Sequence, residues 1–239
     1  MKIKVVIPNS GMSRETLAAR EAMLSQAVSE EVMFSAECIE LGPEAIESNT
    51  EEALAAVEVI RACIKAEEDG FDAVIIYCFS DLAIDAVREN VKIPVIGPGE
   101  VALAAAAMLS NRFTVITTTE ENVTRTSRRL KRQGLIEKMT SIRALNIPVV
   151  ELRESPEITK TYLDKVVCDA IAEEGIDGVV LACLGMAGYG REVGEKYGIT
   201  VYDPSFLAAA FAENCIRTGL RHNRRNYSKY GRGEEHGLL

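Results

Sequence analysis

Two cysteines, Cys78 and Cys183, stand at matching places in a repeated pattern. The run Phe71-Asp72-Ala73-Val74-Ile75-Ile76-Tyr77-Cys78 resembles Ile176-Asp177-Gly178-Val179-Val180-Leu181-Ala182-Cys183, with the two thiols 105 positions apart. Each run is apolar, rich in β-branched residues and too short for a helix, so each predicts a buried strand with a thiol at its C-terminal end. Phe79, Ser80 and Asp81 follow the first thiol and Leu184, Gly185 and Met186 the second, where a strand is expected to turn into a helix. A helix N-terminus presents unpaired backbone N–H groups and partial positive charge, which lower a thiol's pKa and hold an oxyanion. A thiolate then forms without help from histidine. Two such thiols on opposite walls of a cleft suit a reaction in which a carbon loses a proton from one face and regains one on the other, a racemisation or epimerisation.

The competing reading of a free cysteine is a small buried hydrophobe. It is expected for Cys38, Cys63, Cys168 and Cys215, which have no mate in the repeat. Other chemistries lack their parts. A Cys/His hydrolase needs an imidazole beside the thiol, and the two histidines, His222 and His236, both lie in a polar C-terminal stretch. Pro8-Asn9-Ser10-Gly11 follows the first apolar run in place of a Gly-x-Gly-x-x-Gly turn, and no P-loop is present. With no Cys-x-x-Cys pair and both histidines in the tail, no structural metal is expected. No motif speaks against pyridoxal phosphate, but two acid/base thiols make such a cofactor unnecessary.

Around the thiols, Asn9, Thr117 and Thr118 end strands on the same side and offer amide and hydroxyl groups to a ureide or carboxylate. Their ordinary use is in Asx turns and caps. Phe79, Ser80, Asp81, Leu184 and Gly185 are further candidates for substrate contact, although Ser80 and Asp81 also read as helix N-caps. Tyr77, Met186 and Tyr189 flank the cysteines and belong to an apolar pocket or to the core. Glu100 and Asp203 occupy nearly equivalent places, where they orient donors or start the following helices.

The elements that must position these groups alternate. Strand patterns fall at 2–7, 33–41, 73–77, 113–117, 149–152 and 179–182. Helical patterns follow Ser13, an expected N-cap, and cover about 50–68, 121–133 and 159–174. Pro94-Val95-Ile96-Gly97-Pro98 parallels Thr200-Val201-Tyr202-Asp203-Pro204, and Ala-rich helices follow both. Strand–helix alternation implies parallel sheets. The expected fold is therefore α/β, with two pseudo-symmetric three-layer domains, 1–97 with 207–239 and 98–206. Their mainly parallel sheets face an active-site cleft between the C-terminal strand ends, where open α/β sheets take ligands.

The 239 residues are 47% hydrophobic and 26% charged, which suits a globular chain with a sizeable core. A net charge of −9 gives no general attraction to nucleic acid or to an anionic membrane surface. No apolar stretch is long enough to span a bilayer, and the N-terminus runs straight into a strand pattern. Six scattered cysteines in a chain of this size fit a reducing cytoplasm with free thiols. Arg224, Arg225, Lys229 and Arg232 mark an exposed basic tail.

Several segments together resemble the hydantoin racemases of the aspartate/glutamate racemase superfamily. They are Pro8-Asn9-Ser10, Gly42-Pro43 with Ile46-Glu47-Ser48, Cys78-Phe79-Ser80-Asp81, Pro94-Val95-Ile96-Gly97, the stretch 112–118 and Leu181-Ala182-Cys183-Leu184-Gly185-Met186. The resemblance covers about 1–220. It implies a cofactor-independent racemase with Cys78 and Cys183 as acid and base, a small-molecule substrate and a homo-oligomer. Two features depart from the family pattern: Leu184 replaces a small residue beside the second thiol, and Glu120 and Glu121 stand where an Arg is common. A hydantoin, an allantoin-like ureide and a free amino acid remain open as substrates. Alternatives are an aspartate/glutamate-type racemase, a small-diacid isomerase or decarboxylase, and a non-catalytic binding module.

Overall fold

Strands and helices alternate along the computed structural model, which describes residues 1–133, 137–223, 225 and 227. Arg224, Lys229, Arg232 and His236 lie outside the described residues. The chain divides into two compact units, one formed by Met1–Pro98 with the segment from Ala208 onward and the other by Gly99–Leu207.

In the first unit, β1 (Lys2–Ile7), β2 (Met33–Cys38), β3 (Ala73–Ile76) and β4 (Val95–Ile96) form a parallel sheet in the order β2-β1-β3-β4. Val5 pairs with Ile75 and Val6 with Ile76. Consecutive residues of β1 and β3, among them Val5, Val6, Ile75 and Ile76, are fully buried, as a parallel sheet covered on both faces requires. Helices α1 (Arg14–Leu24), α2 (Asn49–Glu68) and α3 (Ile84–Asn90) connect them. Ser13 caps α1 as expected, its hydroxyl accepting the Thr16 N–H. Ser48 caps α2 in the same way through Glu51. One face of α2, carrying Ala55, Val59, Cys63 and Ala66, packs on Val6, Val74 and Ile76. Burial, with the Glu37 charge adding to it, pushes the Cys63 thiol far above its ordinary pKa and out of acid–base use.

The second unit repeats the design. Its strands β5 (Phe113–Thr117), β6 (Met139–Ala144), β7 (Gly178–Leu181) and β8 (Thr200–Tyr202) pair in parallel in the order β6-β5-β7-β8. Helices α4 (Pro98–Leu109), α5 (Glu120–Gln133), α6 (Val149–Glu154), α7 (Pro156–Glu174), α8 (Gly190–Tyr197) and α9 (Pro204–Thr218) are the other α-helices among the described residues. Corresponding hydrogen bonds recur. Tyr77 N–H donates to Val6 O at 2.8 Å and Ala182 N–H to Ile116 O at 2.7 Å. At the opposite edge, Asp72 accepts the Lys2 N–H at 2.7 Å, while Asp177 accepts the N–H groups of Asn111 and Arg112.

One expected strand is wrong. Residues 149–152 open α6, with Pro148 as its N-cap, and the place beside β5 belongs to β6. Met139–Ala144 is half-buried at every position, as an edge strand is, and so lacks the continuous apolar run that betrays a central strand.

Candidate active site

Cys78 lies two residues beyond the end of β3 and is half-buried. Its carbonyl accepts the Asp81 N–H at 3.0 Å, which closes a tight turn, and its sulfur stands 3.3 Å from the Ser80 hydroxyl. The expected helix start at this thiol does not form. Asp81 and Ala83 adopt left-handed backbone angles, φ 50° and 58°, and α3 begins only at Ile84 with Ala83, not Ser80 or Asp81, as its N-cap. Asp81 is buried. A Cβ added to Gly97, at the end of β4, would come within 2.6 Å of the Asp81 carboxyl carbon, so the bare glycine makes room for that side chain.

Cys183 occupies the corresponding place after β7 and is also half-buried. Here the turn is a single 3₁₀ segment, Leu184–Met186, separated from α8 by three residues. Its hydrogen bonds can be followed group by group. Gly185 N–H points at the Cys183 sulfur, 3.4 Å away; Met186 N–H donates to Cys183 O and Ala187 N–H to Leu184 O. Gly188 N–H leaves the turn for the Asp203 carboxylate at 2.7 Å, and Tyr189 N–H returns to Met186 O. Neither thiol therefore caps an α-helix. What each has is a polar group two residues ahead, a hydroxyl at Cys78 and a backbone N–H at Cys183. An N–H donor stabilises a thiolate.

The remaining expected residues fall at the same two sheet edges. Because β1 adjoins β3, Asn9 and the Cys78 turn with Phe79, Ser80 and Asp81 share the C-terminal edge of the first sheet. The Asn9 amide donates to Glu44 O at 2.9 Å and Ser10 N–H to Pro43 O, so the loop 42–48 is tied to the end of β1. Because β5 adjoins β7, Thr117, Thr118, Cys183, Leu184 and Gly185 share the edge of the second sheet. Phe79, Leu184, Tyr77 and Met186 are buried, and Met186 belongs to the core with Leu181 and Val193. Cys63 and Cys215 are buried hydrophobes as expected, but Cys168 is exposed on α7, which corrects its placement.

The sequence did not draw attention to Asn122 in the first turn of α5. It is 3% exposed; its Nδ2 donates to Thr118 Oγ1 at 2.6 Å, and its Oδ1 is buried without a hydrogen-bond partner among the described residues. A buried unpaired amide oxygen is costly, which makes Asn122 a candidate acceptor for a substrate donor. The only signal for it in the sequence was its place one turn after Thr118. Among the described residues no group of three or more His, Cys, Asp or Glu side chains is arranged to hold a metal, and no helix is long and apolar enough to cross a membrane.

A family model described as Asp/Glu/hydantoin racemase matches residues 3–212. A hydantoin racemase of Rhizobium meliloti is 31% identical over 232 residues, covering 97% of this chain and 95% of its own. Among solved structures, an allantoin racemase from Klebsiella pneumoniae superimposes with a TM-score of 0.90 at 25% identity, covering 96% of this chain and 94% of its own. An allantoin racemase from Pseudomonas fluorescens gives 0.89 at 28%, covering 97% of each. The likeness thus extends over nearly the whole chain. On a match of this extent, the chain belongs to the Asp/Glu/hydantoin racemase family and is an isomerase.

Proposed function

We propose that the chain is a cofactor-independent racemase of 5-substituted hydantoins, a class that includes allantoin, and that Cys78 and Cys183 are its acid and base. The observation that carries this reading is the pair of matched turns, each placing a half-exposed thiol two residues beyond the third strand of its sheet. The names of the relatives supply the substrate class. In this reading one thiol is presented to each face of C5. One cysteine, as thiolate, takes the C5 proton; the C5–H bond breaks, an S–H bond forms and the electron pair moves onto the neighbouring carbonyl oxygen. Backbone N–H groups of the turns receive that enolate oxygen. The other cysteine, as thiol, delivers its proton to the opposite face and becomes the thiolate for the reverse direction. Asn9, Thr117, Thr118 and the unpaired Asn122 oxygen are the groups that hold the ring's amide and carbonyl functions.

The reading includes a reducing cytoplasmic setting, which keeps both thiols available, and a homo-oligomer, as the resemblance implies. It is tested by following the circular dichroism of single enantiomers of allantoin, several 5-alkyl hydantoins, aspartate and glutamate in chelator and without additives. The signal should decay to zero for one or more hydantoins and persist for both amino acids. Decay only for aspartate or glutamate, or for nothing unless a metal is added, would overturn it.

A further inference from the structure

We propose that Asp203 is a positioning residue for Cys183, holding the cysteine turn in the form that points the Gly185 N–H at the sulfur. The proposal rests on the reading of Cys183 as an acid–base group. Asp203 directly follows β8 and is 8% exposed. Each of its carboxylate oxygens accepts from a backbone donor. Oδ1 accepts the Ser205 N–H at 2.9 Å, and the Asp203 carbonyl accepts the Leu207 N–H, which is N-cap geometry for α9. Oδ2 reaches away to Gly188 N–H at 2.7 Å, a short charge-assisted bond.

That second bond has a particular place in the turn. From Gly185 to Tyr189 the other N–H groups are satisfied inside the turn itself, and Gly188 N–H goes to Asp203. Gly188 has φ 86°, a left-handed angle that aims its N–H outward at low cost only in glycine. Gly190 supports the same approach, since a Cβ there would come within 2.5 Å of Val201 in β8. The turn is thus fastened to the neighbouring strand by a buried carboxylate and a bare glycine contact.

The other unit brings a carboxylate and a glycine together at the same place with the parts exchanged. Gly97 and Asp203 each precede the proline that opens an Ala-rich helix, Pro98 and Pro204. In the first unit the strand end is the glycine and the carboxylate comes from the cysteine turn, as Asp81. In the second unit the strand end supplies the carboxylate and the turn supplies the glycine, Gly188. The chain therefore places a buried carboxylate between cysteine turn and strand end in both halves, from opposite sides.

The two bonds of Asp203 can be separated by substitution. Asp203→Ser keeps a side-chain oxygen for the Ser205 N–H and so keeps the cap, but it is uncharged and too short to hold Gly188 as well. Iodoacetamide alkylation of Cys183 and Cys78 in the substrate-free protein, read by peptide mass spectrometry against pH, reports on each sulfur without requiring turnover. In Asp203→Ser the melting temperature should stay close to wild type. Removing the Asp203 charge by itself favours the thiolate, whereas releasing the turn withdraws the Gly185 N–H from the sulfur. The second effect is expected to win, so the Cys183 profile should move to higher pH, slowing its neutral-pH alkylation by about threefold to tenfold. The Cys78 profile should not move, and kcat should fall more than KM changes. An unchanged Cys183 profile, or equal shifts at both cysteines with a fallen melting temperature, would overturn the proposal. A Cys183→Ser protein that racemises as wild type would instead defeat the catalytic reading and leave the alkylation result standing.

Discussion

The two thiols differ in their second neighbours, and this difference is the basis for expecting them to react differently. Cys183 faces a backbone N–H, which donates only, whereas Cys78 faces the Ser80 hydroxyl, which donates or accepts. A buried carboxylate stands beside each turn, Asp81 at the first and Asp203 at the second, so it is the N–H donor and not a carboxylate that separates the two thiols. Cys183 is therefore expected to be the more ionised thiol in the free enzyme and to alkylate at lower pH than Cys78; the reverse order of midpoints would contradict this. Gly97→Ala tests the Asp81 contact, because its Cβ would meet the carboxyl group at 2.6 Å. Overpacking of this kind costs about 1–3 kcal/mol. A lowered melting temperature with Cys78 alkylation perturbed more than Cys183 is expected, and an unperturbed protein would show that Asp81 moves freely. At this scale the cysteines were legible because their apolar approach runs repeat. The partners of their backbone were not, since hydrogen bonds such as Gly188 to Asp203 join residues that share no local pattern.

Elements were legible where burial is one-sided or total. The fully buried β3 and β7 read as unbroken apolar runs, and α1 announced itself through its capping serine. Ser48→Ala should remove the same kind of cap from α2 and cost about 1 kcal/mol, measured by chemical denaturation. No loss would mean that the Glu51 N–H finds another acceptor. The edge strand β6 was missed because its Met-Thr-Ser-Ile-Arg-Ala sequence is half-exposed throughout. Its polar side chains are used sideways: Arg143 pairs with Glu173 and Glu174, and Thr140 and Ser141 bond to Glu174. The expected helices at the cysteines also failed. Three residues after a strand do not reveal whether the chain closes a tight turn first, and positive φ at Asp81 and Ala83 is a choice that only the packed neighbourhood fixes.

For the molecule, the duplication seen as a 105-residue offset is realised as two sheets with the same strand order and the same ladder bonds at each cysteine. The same carboxylates that brace the sheets make its stability depend on pH. Burial alone would raise Asp177, but the backbone N–H groups of Asn111 and Arg112 outweigh it and hold its carboxyl below the ordinary value. Burial likewise opposes, and hydrogen bonds from Thr140, Arg143 and Ser141 outweigh, a rise at Glu174. Carboxyls depressed in the folded state stabilise it fully above their unfolded pKa, about 4, and lose that contribution as pH falls through the lower folded values. The melting temperature should therefore drop below about pH 4, and Asp177→Asn should flatten the drop while lowering stability at neutral pH; a parallel curve would assign the acid sensitivity elsewhere. The central claim, one thiol for each face of the reacting carbon, is tested most directly in deuterium oxide with single enantiomers of the hydantoin that the wild-type enzyme racemises. Wild type should return racemic substrate carrying deuterium at C5, and Cys78→Ser and Cys183→Ser should each invert it about 10²–10⁴-fold more slowly. Inversion at close to the wild-type rate by either variant would contradict the claim.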